Sequence, residues 1–111
     1  IEYGDFSTVF TGDMSKFAEN NLIETGRVGQ SDVLKVSHHG SKTATGSEWL
    51  DTVKPSYAVI SVGENNTYAL PNKEVLDRLS ETELYRTDFD GDIRFTVNSK
   101  GKVRIDTFNR R

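Results

Sequence analysis

Three times along this chain a short run of β-forming residues breaks at a loop and gives way to apolar residues at helical spacing. Residues 2–11 alternate through Phe6, Thr8 and Phe10, with a turn at Tyr3-Gly4-Asp5, and run into Gly12-Asp13. Met14, Phe17, Ala18, Leu22 and Ile23 then predict a helix over residues 14–25, which Asp13 is placed to cap. Asp32–Ser37 reads as a second strand through Val33, Leu34 and Val36. A short helix follows, with Ser47 at its N-cap and Trp49, Leu50 and Val53 on one face, ended by Lys54-Pro55. Tyr57–Val62 is a continuous apolar run between Pro55 and Gly63, the pattern of a buried strand. Asn72 opens a third helix with Val75, Leu76 and Leu79 as its stripe.

The remainder is all strand. Residues 83–87 form a short strand, Asp88-Phe89-Asp90-Gly91 is turn chemistry, and residues 92–98 and 102–108 alternate as a hairpin around Ser99-Lys100-Gly101. Repeated strand–helix units predict parallel pairing with right-handed crossovers. The expected class is α/β, in the α+β sense: a mixed sheet with helices on one face and the terminal hairpin added as antiparallel edge strands. The other face then needs a cover. At 111 residues the chain reads as a single domain over 1–111. It opens at Ile1 inside a strand pattern, which reads as a piece of a larger body.

Composition narrows the chemistry. There are no cysteines, so thiolate metal sites and disulfides are excluded and any metal must use His, Asp or Glu. Net charge is −3 and Lys and Arg are scattered apart from Arg110-Arg111, which gives no basic footprint for nucleic acid. No apolar run approaches the ~20 residues of a membrane span.

Candidate reactive groups all follow strands: Asp13, His38-His39 and Glu64-Asn65-Asn66. His38 and His39 are the chain's two histidines, and Gly40 after them allows a sharp turn. Strand ends of one sheet can converge, and Asp with His suits Zn²⁺ or Mn²⁺. The bland alternatives are a Gly-Asp turn, one hydrogen-bonded and one exposed histidine, and Ser37 and Ser41 as loop caps. A serine triad of Ser41, His38 and Asp13 is conceivable, but no Gly-x-Ser-x-Gly elbow is present. Walker A and Gly-x-Gly-x-x-Gly fingerprints are also absent.

Four ordered stretches carry a more specific signal: Thr8-Val9-Phe10-Thr11-Gly12-Asp13; Asp32–Ser41; Ile60–Tyr68; and Tyr85-Arg86-Thr87-Asp88 with Gly91. Together they resemble the metallo-β-lactamase-fold domain of ComEC-type competence (DNA uptake) proteins, and phosphorylcholine esterases of the same superfamily. The likeness spans about Asp5 to Phe108. It implies the C-terminal half of an αββα sandwich with two divalent metal ions, Zn or Mn, in the full domain, suited to in-line phosphoester hydrolysis. By this resemblance Asp13 bridges the metals. One of His38 and His39 is a ligand and the other lies at the substrate, with His39 favoured as ligand and His38 as the catalytic group. Ser41, Asn66 and Tyr68 are the substrate-binding candidates. The implied partners are the missing N-terminal half of the domain, a nucleic acid or other phosphoester substrate, and a second copy paired through the exposed sheet face. The extracellular face of a bacterial membrane, or secretion, is favoured over the cytoplasm.

Two departures from that family stand out. The His-x-His-x-Asp-His motif of the N-terminal half is absent, and Leu70 stands where relatives usually carry the histidine of Tyr-Gly-His-Pro. The isolated chain is therefore expected to be inactive. The rival reading is a degenerate, non-catalytic binding or structural module of the same fold.

Overall fold

The computed structural model describes residues 1–63 and 69–108. Five strands, β1 (Glu2–Tyr3), β2 (Phe6–Phe10), β3 (Val33–Lys35), β4 (Tyr57–Ile60) and β5 (Glu83–Arg86), lie side by side in chain order. β1 and β2 form an antiparallel hairpin through the expected turn, where Gly4 adopts φ 57°. β2 to β5 pair in parallel, so the sheet is mixed and the α+β expectation holds. The crossovers carry α1 (Lys16–Glu24), α2 (Ser47–Val53) and α3 (Lys73–Arg78).

The parallel register places Val9, Leu34, Ala58 and Leu84 abreast. Side chains alternate along a strand, so this row shares a face with Val36 and Ile60. That face meets the helices. Trp49 and Val53 of α2 close over Leu34, and Val75 and Leu79 of α3 close over Val36, Ala58 and Ile60. Each Val, Leu or Ile side chain buried there contributes roughly 1.5–3 kcal/mol.

The hairpin departs from expectation. β6 (Asp92–Val97) and β7 (Val103–Phe108) do not extend the sheet; they form a separate two-stranded sheet. The reason is apolar burial. Phe95 packs its ring against Tyr57 at 5.7 Å and Tyr85 at 5.9 Å, both on the sheet face away from the helices. An edge position would leave those rings wet. The chain thus supplies part of its own cover, with a cavity of about 290 Å³ left between Phe6, Phe10, Val59, Ile93 and Val97. Phe10 remains 64% exposed on that side.

Four smaller expectations are corrected or refined. In α1 Phe17 is 77% exposed whereas Glu19 is 1% exposed, because a loop with free N–H groups, not an apolar surface, lies over Glu19. Ser15, not Asp13, caps α1, accepting from the Ala18 N–H at 3.4 Å. Gly46 occupies the N-cap of α2 and Ser47 is its first residue. The Asp88–Gly91 turn is built as one helical turn, α4 (Thr87–Asp90). Asn72 caps α3 as expected, its side chain accepting from the Glu74 N–H at 3.0 Å.

Candidate functional site

Parallel strands put all their C-terminal ends on one edge, where α/β proteins gather ligands. Here that edge collects Gly12-Asp13 after β2, Ser37–Gly40 after β3, Ser61–Gly63 after β4 and Thr87-Asp88 after β5. The segments are tied to one another. The His38 N–H donates to the Gly12 carbonyl at 2.8 Å, and the Met14 N–H donates to Thr11 at 3.1 Å, closing the Gly-Asp turn. His39 Nδ1 lies 2.6 Å from the Ser61 carbonyl oxygen. Thr87 Oγ1 donates to the Val62 carbonyl at 2.9 Å and accepts from the Val62 N–H at 2.8 Å, locking the ends of β4 and β5.

The corner that carries the histidines is strained. His38 and His39 have φ 50° and 55°, and Gly40 has φ 85°. Left-handed backbone costs an L-residue roughly 1–2 kcal/mol, so surrounding contacts must hold it. They do: the Asn72 N–H donates to the Gly40 carbonyl at 2.9 Å, and the Ser41 N–H to the His38 carbonyl at 3.0 Å. Buried Ser37 donates its hydroxyl to Thr11, whose own hydroxyl donates to the Lys35 carbonyl at 2.9 Å.

This geometry exposes both imidazoles, with ring centroids 6.5 Å apart. They line a cavity of about 630 Å³ with Ser41, Lys42, Leu70 and Asn72. Because a carbonyl only accepts, His39 Nδ1 carries the proton and Nε2 keeps its lone pair. A carbonyl behind one ring nitrogen is the usual support of a metal-ligating histidine. Asp13 is exposed at the same edge, beside Lys35, whose amine burial pushes below its ordinary value while Asp13 pulls it back up. Ser41 Oγ shares a hydrogen bond with the Thr43 hydroxyl at 2.9 Å and accepts from the Thr43 N–H at 3.3 Å. It thus serves as a loop cap, and no triad contact to a histidine accompanies it among the described residues. Glu64, Asn65, Asn66 and Tyr68 lie outside the described residues.

The donors fit a divalent metal in kind and support but not in number. Among the described residues no three His, Asp or Glu side chains converge on one point. Lys42, a cation on the cavity wall, and the bracing of the corner by Thr11, which the sequence marked only as part of the Thr8–Asp13 stretch, were not expected. Only their positions identify them.

Relatives are known by sequence. The chain is 38% identical to ComE operon protein 3 of Bacillus subtilis, over 98% of its own length and 14% of that protein. Recombination protein 2 of Haemophilus influenzae is 36% identical over 85% of the chain and 12% of the relative. Competence protein ComA of Neisseria gonorrhoeae is 35% identical over 88% and 15%. The chain spans about one seventh of the length of these curated relatives. No family model matches it, and no solved structure matches it.

Proposed function

We propose that this segment supplies one share of a divalent-metal site that hydrolyses phosphodiesters, within a protein of competence and DNA uptake. The observation that supports the reading is that Asp13, His38 and His39 all stand at the C-terminal edge of the parallel strands, with His39 Nδ1 bonded to a carbonyl so that Nε2 is left outward. The names of the relatives, competence and recombination, support nucleic acid as the phosphoester class. Asp13 with His38 or His39 would hold the metal, and the remaining donors would come from outside the described residues. Bound divalent ions supply Lewis-acid stabilisation of the oxygens of an in-line displacement. The chain's own groups then have defined tasks. The Ser61 carbonyl fixes the His39 ring, His38 stands beside the substrate, and the Lys42 ammonium meets phosphoester charge at the cavity wall.

The test is turnover of a chromogenic phosphodiester by the full-length gene product, with Zn²⁺ or Mn²⁺ and after chelation. Metal-dependent turnover lost in Asp13→Ala and His39→Ala supports the reading, and turnover indifferent to all three treatments refutes it. The 111-residue chain alone is expected to be inactive.

One observation favours the rival, non-catalytic module. Leu70 lines the cavity beside the histidines and packs into the core cluster of Val36, Ile60 and Val75. An aliphatic side chain there neither ligates nor shuttles a proton. A full-length protein that binds metal stoichiometrically but turns over no phosphodiester would establish this second reading.

A further inference from the structure

The net charge of the whole chain hides an uneven distribution. Residues 1–91 carry eight Lys and Arg against fifteen Asp and Glu, whereas residues 92–108 carry four against two. The four are Arg94, Lys100, Lys102 and Arg104, and the chemistry above makes no use of them. Phe95 faces the sheet, so alternation along β6 and β7 turns Arg94, Arg104 and Asp106 to the opposite, solvent side.

The antiparallel register sets the cations in one row. Arg94 stands opposite Asp106, and Arg104 stands opposite Thr96. Lys102, whose carbonyl accepts from the Asn98 N–H at 3.1 Å, comes one step further, and Lys100 is in the turn. Each step is two residues, about 7 Å of strand. Arg94 and Arg104 share the Asp106 carboxylate at 3.2 Å and 3.3 Å, with their own side chains 60% and 77% exposed. Exposed pairs of this kind are worth at most about 1 kcal/mol, so both guanidinium groups are available to another anion. Asp92, the other carboxylate of this face, lies beyond Arg94. Among the described residues no carboxylate pairs with Lys100 or Lys102. The row also has a direction. Its Arg94 end adjoins the histidine-bearing edge, because β6 follows α4, whose Thr87 is bonded to Val62 just after β4. Its far end is the hairpin tip at the β1–β2 turn, where a Cβ on Gly4 would lie 3.5 Å from the Ser99 carbonyl.

We propose that the solvent face of the β6–β7 ribbon is a docking track for the phosphodiester backbone of a nucleic acid, running from the hairpin tip to the histidine edge. Evenly spaced cations suit an extended polyanion rather than a point anion. Guanidinium groups add two parallel N–H donors to phosphate oxygens, which fixes a strand as well as attracting it. A two-stranded ribbon is also narrow enough for the major groove of a duplex. The choice of nucleic acid as the polyanion rests on the reading of the histidine edge given above.

Binding would be measured with the full-length gene product in chelator, so that neither metal nor turnover enters and the two readings can fail separately. The probes are a fluorescein-labelled single-stranded oligonucleotide and its duplex, followed by anisotropy across a salt series. Arg94→Gln, Lys102→Gln and Arg104→Gln combined should weaken binding about tenfold or more. The dependence of log affinity on log salt should become shallower by about two to three, at roughly 0.7–0.9 per lost phosphate contact. Arg27→Gln, Lys54→Gln and Lys73→Gln combined, which removes the same charge from exposed positions elsewhere, should change neither quantity. Should the first variant not fold, Lys100→Gln with Lys102→Gln leaves the Asp106 pairs intact and should make the salt dependence shallower by about one to two. Equal losses in the hairpin variant and the control overturn the proposal, as does an unchanged salt dependence in the hairpin variants. It is also overturned if the hairpin variant loses phosphatidylglycerol vesicles while keeping both oligonucleotides, since the row would then meet a lipid surface.

Discussion

His39 Nδ1 sits 2.6 Å from the carbonyl oxygen of Ser61, joining the loop after β3 to the end of β4. The carbonyl dictates the tautomer, so neutral His39 carries its proton on Nδ1. Long-range ¹H–¹⁵N correlation at a pH above the imidazole titration should show a protonated Nδ1 and a bare Nε2. A proton on Nε2 would remove the support for a ligand role, because the outward nitrogen would then be a donor.

Gly40 is held between two constraints. Its φ of 85° disfavours any side chain, and a Cβ placed there would lie 2.5 Å from Pro71 Cβ and 3.0 Å from Pro71 Cα. Gly40→Ala should therefore cost about 3 kcal/mol by urea denaturation, strain and overpacking together. A loss within about 0.5 kcal/mol, the range of an ordinary surface change, would mean that the corner does not lean on Pro71.

Glu19 is buried on α1 beneath the 41–46 loop, where it accepts from the Thr45 and Gly46 N–H groups. Its carboxyl is raised above 4.5, chiefly by burial, so the folded chain holds that proton more tightly than the unfolded chain. The stability it contributes is complete below the unfolded value and is lost as pH rises through the folded one. Melting temperatures of the parent and Glu19→Gln should thus converge or cross between mild acid and neutrality, with the parent losing ground as pH rises. A parent that gains on the variant over that interval would reverse the sign and the cause.

Phe95 fastens the hairpin to the sheet through Tyr57 and Tyr85. Phe95→Ala should cost about 2 kcal/mol, below the range for a fully buried ring because this one is half-buried. It should also change the near-ultraviolet dichroism of the tyrosines. Unchanged stability and dichroism would mean that the hairpin is not seated there.

Local signals that agreed with tertiary demand were legible in the sequence. The Leu34, Ala58 and Ile60 rows, the Asn72 cap and the Trp49–Val53 face all follow from period and capping chemistry, and each is buried or bonded as expected. Parallel pairing of β2 to β5, with Asp13 and the histidines at strand ends, followed from the repeated strand–helix connection. What stayed hidden depended on partners far away in sequence. The inward turn of Glu19 is set by N–H groups 26 and 27 residues later. Phe17 points outward because the α1 stripe yields to that polar contact. The hairpin's choice of face over edge is decided by Tyr57 and Tyr85, which alternation within residues 92–108 does not reveal. The left-handed turn at His38 and His39 has no sequence signature beyond Gly40, since positive φ is uncommon for any residue with a side chain, even for histidine, which is enriched there.

Metal stoichiometry of the full-length gene product, stripped with chelator, reloaded with zinc or manganese and counted by elemental analysis, tests the central claim most directly. The proposed site predicts about two ions per chain, as in two-metal hydrolytic sites, with a clear fall in Asp13→Ala and in His39→Ala. Metal that is absent, or present in amounts that neither substitution changes, would contradict it.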